Sequence, residues 1–330
     1  MKKYIFLIAS IFIAQFNIAQ VLFTEDFNSY STGHLNNNYT NNTPGQGGWV
    51  IRNDTKPGII VTAMVTPENG KGNILNITNN GAVANRWLAI QQSIGVIDGL
   101  WNNRMVGNNV LKLEYEVYGS GSFHADGRAI YNNSSLIDLY INSPSFSIEA
   151  IHINSINTNR ILKNYTASTF PNNIWIKIEL FIDYTNQKAY YYIPTLNLFR
   201  ADNISPNNYI PQNIDFIGYI IQPGSVVKYD NIKLTALPSV PSYILSANEM
   251  VSAKFNMYPN PATNVVNITN SENMLVEQVT VYDINGKQVT TQNYNSEQQI
   301  QINVENLASG TYMLHIKTNT GLAIKQLVKK

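Results

Sequence analysis

The chain has no cysteine in its 330 residues. That excludes a disulfide framework and any metal held by thiolates. Charge is scarce as well: charged residues make up 13%, against roughly 25% in an average soluble protein. The 22 basic side chains nearly balance the 21 acidic ones. A chain this close to neutral lacks the basic stripe that follows a phosphate backbone, which excludes nucleic acid as a partner. Four histidines, His34, His124, His152 and His315, stand far apart in sequence. No His-x-His or His-x₃-His pairing marks a metal site, and nothing specific supports a catalytic triad. Long helical periodicity is also missing, so helices should be few and short. After Ala14 no run is long and apolar enough to cross a membrane.

What takes the place of charge is Asn, Ser, Thr, Gln and Tyr, the surface of an extracellular β-protein. At the start, Lys2 and Lys3 precede an apolar run from Tyr4 to Ala14, and Ala19 stands before Gln20. A basic start, a short apolar core and a small residue at the cut describe a secretory signal peptide, residues 1–19. Its removal takes 22 basic residues to 20 against 21 acidic ones, a net charge of −1.

Residues 20–237 are long enough for one large all-β domain. Segments such as Val110–Tyr118, Ile174–Asp183 and Val226–Leu234 alternate apolar and polar residues, as half-buried strands do. Asn69-Gly70, Asn80-Gly81, Asp98-Gly99 and Asp126-Gly127 read as turns between strands. The strand number suits a two-sheet jelly-roll sandwich. Residues 238–254, beginning Pro238-Ser239-Val240-Pro241-Ser242, show no clean alternation and read as a linker, semi-rigid at its start.

In Trp175-Ile176-Lys177-Ile178-Glu179-Leu180-Phe181-Ile182-Asp183, the aliphatic residues share one face, and Lys188-Ala189-Tyr190-Tyr191-Tyr192 follows as a return strand. With the opening Thr24-Glu25-Asp26-Phe27 and the closing Tyr229-Asp230-Asn231-Ile232-Lys233-Leu234, this pattern resembles concanavalin A-like (laminin-G-like) jelly rolls.

Residues 255–330 read as a second, smaller all-β unit. Val266 and Ile268, Val279 and Val281, Ile300 and Ile302, and Leu314 and Ile316 alternate with polar neighbours. Asn285-Gly286 suits a tight hairpin turn. A small Ig-like sandwich fits this spacing. Within it stand Tyr258-Pro259-Asn260-Pro261-Ala262, Val281-Tyr282-Asp283-Ile284-Asn285-Gly286-Lys287 and Leu307-Ala308-Ser309-Gly310-Thr311-Tyr312, before a Lys-ended tail. Together they resemble the C-terminal sorting domain, type A, of the type IX secretion system. The sorting residues are then Tyr258, Pro259, Asn260, Pro261, Gly286, Gly310 and Tyr312. The resemblance implies the type IX secretion machinery as a partner, passage through the periplasm, and a secreted or outer-membrane-surface destination.

Three groups of residues carry candidate chemistry in the larger domain. Glu114 and Glu116 share one face of their strand, roughly 6.5 Å apart, a separation at which paired carboxylates can cut glycosidic bonds. Lys112 and Tyr118 stand where a third acid would be needed to complete the pattern of laminarinase-like relatives. Exposed aromatic rings stack on sugars while Asn and Asp bond their hydroxyls, and Trp87 and Trp101, in turn-rich surroundings, are the first candidates for such rings. Glu25, Asp26 and Asp230 would meet if the first and last strands run side by side, offering hard oxygens to a structural calcium ion. The expectation is an exported protein whose jelly roll binds glycan or matrix without catalysis. A laminarinase-like glycoside hydrolase and a structural or adhesive surface protein are the alternatives.

Overall fold

The computed structural model describes residues 18–39, 43–53, 61–79, 81, 84–131, 134–143, 147–152, 163–166, 172–196, 198–204, 209–270, 274–284, 287–318 and 322–330. Strands dominate them. In the larger unit these are β1 (Gln20–Glu25), β2 (Gly33–His34), β3 (Trp49–Asn53), β4 (Val61–Glu68), β5 (Gly72–Asn79) and β6 (Arg86–Gln92). After helix α1 (Val96–Asn102) come β7 (Val110–Ser120), β8 (Phe123–Tyr131), β9 (Ser134–Ser143), β10 (Ser147–His152) and β11 (Lys163–Thr166). The last five are β12 (Trp175–Asp183), β13 (Lys188–Ile193), β14 (Leu198–Asn203), β15 (Asn213–Ile220) and β16 (Val226–Leu237).

Among the described residues these strands form two antiparallel sheets. One runs β14-β13-β12-β7-β16-β5-β4-β2, with β1 added on β16; the other runs β11-β10-β9-β8-β15-β6-β3. First and last strands lie side by side, Glu25 opposite Ile232. Alternation decides which side chains face inward. On β7, Leu111, Leu113, Tyr115 and Val117 are buried while Lys112, Glu114 and Glu116 point away from the core; on β8, Phe123, Ala125 and Ala129 are buried and His124, Asp126 and Arg128 are not. The inner faces of the two sheets close one apolar core.

Two buried tyrosines join the sheets by more than area. Tyr229 donates its hydroxyl to the carbonyls of Asp126, at 2.9 Å, and Ile217, at 2.5 Å. Tyr115 donates to the carbonyl of Gly127 at 3.3 Å. Burial raises both phenols well above their ordinary pKa, so they remain donors throughout the accessible pH range. The Tyr115 contact corrects one expected turn: Asp126-Gly127 lies inside β8. A Cβ on Gly127 would stand 2.3 Å from the Tyr115 ring, so Gly is required here by the approach of the opposite sheet. Asp98-Gly99 likewise lies within α1. Asn69-Gly70 is the expected turn, with Gly70 at φ +78° between β4 and β5.

Residues 238–254 contain a helix, α2 (Ser242–Ala253). Val240 and Ile244 are buried with Leu237 against Val110, Phe181, Tyr190 and Phe199, on the outer side of the β14-containing sheet. Apolar residues at these outward positions give the segment something to pack on, which a sequence reading of the segment alone does not reveal.

The C-terminal unit is a second all-β sandwich. Its strands are β17 (Phe255–Tyr258), β18 (Val265–Asn270), β19 (Val276–Asp283), β20 (Gln288–Glu297), β21 (Gln299–Asn303), β22 (Gly310–Thr318) and β23 (Leu322–Lys329). They form sheets β17-β18-β21 and β20-β19-β22-β23 around a separate core that includes Val266, Val279, Ile302 and Leu314. No described helix in the chain is long and apolar enough to cross a membrane.

Candidate functional site

The outer face of the sheet containing β6, β15, β8 and β9 carries a cleft of about 500 Å³. Strand register sorts its side chains into three rows. Trp87, Tyr219, His124 and Asn142 stand abreast in the first. Arg52, Ala89, Ile217, Asp126 and Tyr140 form the second. Gln91, Asp215, Arg128 and Asp138 form the third. Rows two residues apart on a strand are separated by roughly 6.5 Å. Ala89 and Ile217 give the middle of the second row an apolar floor between an aromatic wall and a charged one.

The aromatic wall is fixed by its own contacts. His124 stacks on Tyr219 with centroids 5.1 Å apart and an interplanar angle of 20°. Tyr140 meets the His124 ring edge-on at 4.9 Å, and its hydroxyl bonds His124 Nδ1. Burial lowers the His124 pKa, so the ring is neutral at physiological pH. Trp87 is half-buried and lines the cleft beside Tyr219.

The charged wall is held by a buried ion pair. Arg128 Nη2 lies 2.8 Å from Asp215 Oδ2, with Asp215 fully buried. Ser135 Oγ donates to Asp138 Oδ2 at 3.0 Å. Burial pulls the Arg128 pKa down; Asp215, Asp138 and Asp126 together outweigh it and raise it. At the rim, exposed Arg52 donates to Gln91 Oε1 at 3.0 Å.

Trp101, the other tryptophan expected to bind ligand, is in the core. It sits on α1 at 1% exposure, tilted against Tyr184 at 5.5 Å and covered by the Arg104 guanidinium at 4.2 Å. This helix of about two turns, set against the sandwich, holds the ring in the core, so it offers no face to a ligand. Trp49 is also fully buried and donates Nε1 to Glu25 Oε2 at 2.9 Å.

Glu114 and Glu116 lie on the outer face of the opposite sheet, in a lattice of alternating charge. Glu114 is within 2.5 Å of Lys112, 3.3 Å of Lys177 and 3.5 Å of Lys233. Burial pushes its pKa up, but Lys112 and Lys177 more than offset that and hold it at about 2. Glu116 accepts from Lys71 at 2.5 Å and from Asn231 Nδ2 at 2.5 Å, and these overcome burial to lower its pKa as well. Neither carboxyl can keep a proton near neutral pH. Aromatic rings occur on this face too, but lysines cover them: Lys71 lies 4.3 Å over Trp175 and Lys228 4.6 Å over Tyr118.

Glu25, Asp26 and Asp230 are near one another in the topology, yet their oxygens bind protein donors. Glu25 accepts from the Phe27 amide at 2.7 Å, from Trp49 Nε1 and from the Tyr30 hydroxyl. Asp26 caps the Asn28 amide at 3.0 Å. Asp230 accepts from Lys71 at 3.2 Å and from the Asn231 amide at 2.8 Å. The Lys71 ammonium already occupies an Asp230 oxygen, and no group of three or more metal-ligating side chains gathers among the described residues. This donor set does not fit calcium.

The sorting residues fall into distinct roles. Asn260 donates Nδ2 to the Gln326 carbonyl and accepts the Val328 amide on Oδ1, both at 2.8 Å. Ala262 and Val328, and Lys330 and Ala262, add backbone bonds of 2.9 Å. The motif thereby borders β23, while Tyr258 is 52% exposed and Pro259 and Pro261 are exposed. Tyr312 is buried and donates its hydroxyl to the Ala308 carbonyl at 2.9 Å. Gly310 opens β22. Gly286 lies outside the described residues, but Asp283 and Lys287, which flank it, bond to each other across it.

The residues missed in the sequence are Tyr219, His124, Asp126, Arg128, Tyr140 and Asp215. The outward alternation of His124, Asp126 and Arg128 was the available signal.

Several solved structures are similar to this chain. One is a carbohydrate esterase from a Shiga toxin-encoding bacteriophage, at 11% identity over 66% of this chain and 99% of that one, with a TM-score of 0.42. A lectin complexed with galactose matches at 10% identity over 65% and 99%, with a TM-score of 0.40. The CBM2 module of an evolved Dit protein from a Lactobacillus casei phage matches at 10% over 68% and 99%, with a TM-score of 0.37. At these values the likeness carries no functional information. No curated protein matches the sequence. Residues 256–330 match the family described as a secretion system C-terminal sorting domain, so the C-terminal sandwich is a sorting domain and the chain is an exported protein, destined for the cell surface or the medium.

Proposed function

We propose that the larger sandwich binds a glycan without cutting it, in the cleft walled by Trp87 and Tyr219. The observation that carries this reading is a single open sheet face on which a row of rings borders a trough with a polar far wall. Rings take the apolar face of a sugar, and Asp and Arg side chains bond its hydroxyls. Exposed polar groups gain little net over water, so dissociation constants should fall in the micromolar to millimolar range, on the order of −4 to −8 kcal/mol.

The hydrolase alternative needs one carboxyl that holds a proton for the leaving group. Glu114 and Glu116 are both held ionised by lysines, which weighs against it. The test is a glycan array probed with the mature chain and with Trp87→Ala. Binding that disappears in Trp87→Ala supports the reading; sugar release that stops in Glu116→Gln replaces it with the hydrolase.

A further inference from the structure

We infer that the ligand of this cleft is an acidic glycan, its carboxylate taken by Arg52 while its ring lies on Trp87. This rests on the glycan reading above and specifies the ligand class. Arg52 stands opposite Ala89 on the next strand, so Trp87, two residues along β6, is its diagonal neighbour on the same face. Such neighbours have Cα atoms roughly 7–8 Å apart, within reach of one sugar ring and its carboxyl group. Both side chains have uncommitted surface. Among the described residues Trp87 makes no ring contact and its indole N–H no hydrogen bond, while His124 is in ring contact with both Tyr219 and Tyr140. The guanidinium of Arg52 gives Nη1 to Gln91 and joins no ion pair among the described residues. Its Nε–Nη2 edge is left, and that edge takes a carboxylate by two parallel hydrogen bonds.

The charged side chains lining the cleft balance in number, Arg52 and Arg128 against Asp126 and Asp215. Their placement is uneven. Arg128 and Asp215 are bonded to each other at 2.8 Å, and Asp215 is fully buried. Asp126 lies in the row of Arg52 but three strands away, across Ala89 and Ile217. Three strand spacings of roughly 4.8 Å come to about 14 Å, beyond the screening length of about 10 Å at 0.1 M salt. The cleft therefore has a cationic end, at Arg52 and Trp87, and a carboxylate end, where Asp126 stands beside Tyr140. An acidic group at the first end meets a guanidinium with no counter-charge, and the ring that carries it meets the face of Trp87.

The experiment measures binding of the mature full-length chain to oligomers of galacturonate, mannuronate and glucuronate, each beside its carboxyl-reduced counterpart of the same length and linkage. At low salt at least one uronate should bind about tenfold more tightly than its reduced form, and the gap should shrink as salt is raised. Arg52→Gln changes an exposed position on an edge strand, leaves the core intact, and should close that gap. Lys233→Gln removes a positive charge from the opposite sheet and should leave the gap unchanged. The inference is overturned by equal or tighter binding of the reduced form in every pair, by a gap that survives Arg52→Gln, or by an equal loss in Lys233→Gln. In those cases binding that Trp87→Ala still abolishes keeps the glycan reading. Failure of every oligomer, or binding that Trp87→Ala leaves untouched, overturns the glycan reading itself.

Discussion

Replacing Trp87 by Ala removes a half-buried ring from the wall of the cleft. It should abolish glycan binding while changing stability by less than about 1 kcal/mol. Trp101→Ala instead empties a site inside the core and should cost about 3–5 kcal/mol, read as a large fall in melting temperature. The Glu114 carboxyl gives a separate residue-scale test. Its folded pKa, about 2, lies below the ordinary 4.5. A depressed carboxylate pKa contributes stability that is present above the unfolded value and is lost as pH falls through the folded one. Thermal stability should therefore decline between about pH 4.5 and pH 2, and decline less in Glu114→Gln. At this scale the sequence was only partly legible. Trp87 and Trp101 sit in similar turn-rich surroundings, and whether either ring is covered depends on what the rest of the chain places over it.

Strand β23 is bordered by two side-chain hydrogen bonds from Asn260. Asn260→Ala should destabilise the C-terminal sandwich by about 1–2 kcal/mol and speed hydrogen exchange at the Val328 amide. Asn260→Asp keeps the acceptor for that amide and should lose about half as much. Elements were the most legible level of this protein. The return strand read at Lys188–Tyr192 runs on only to Ile193, and Val110–Tyr118 extends only to Ser120. Period-two alternation is written into neighbouring residues, so it can be read without knowing the fold. The failures came where a distant element overrides a local rule: Gly127 looks like a turn residue until the Tyr115 ring is set against it.

At the scale of the whole molecule, α2 alters where the larger unit can be cut. A chain ending after Ala253 keeps Val240 and Ile244 packed on Phe181 and Phe199, and should remain folded but undelivered, stranded in the periplasm. A chain ending at Leu237 uncovers that patch. Burying each such aliphatic side chain is worth about 1.5–3 kcal/mol, so the shorter chain should melt at a lower temperature and aggregate more readily. Surface delivery of the first truncation at the wild-type level would contradict the sorting role of residues 256–330. Mass spectrometry of exported protein should find a chain that begins at Gln20.

The sequence by itself determined the β class, the two-unit order and the sorting tail. Those rest on alternation and on short motifs, which involve residues close together in the chain. Tertiary structure alone decided the candidate site. Trp87, Tyr219, His124 and Tyr140 come from four strands that lie in the order β6-β15-β8-β9, not in chain order. Their proximity is a product of long-range strand pairing, with a register that no local pattern encodes. The same pairing set Lys112, Lys177 and Lys233 around Glu114, and so decided that the most conspicuous pair of acids in the sequence is held charged.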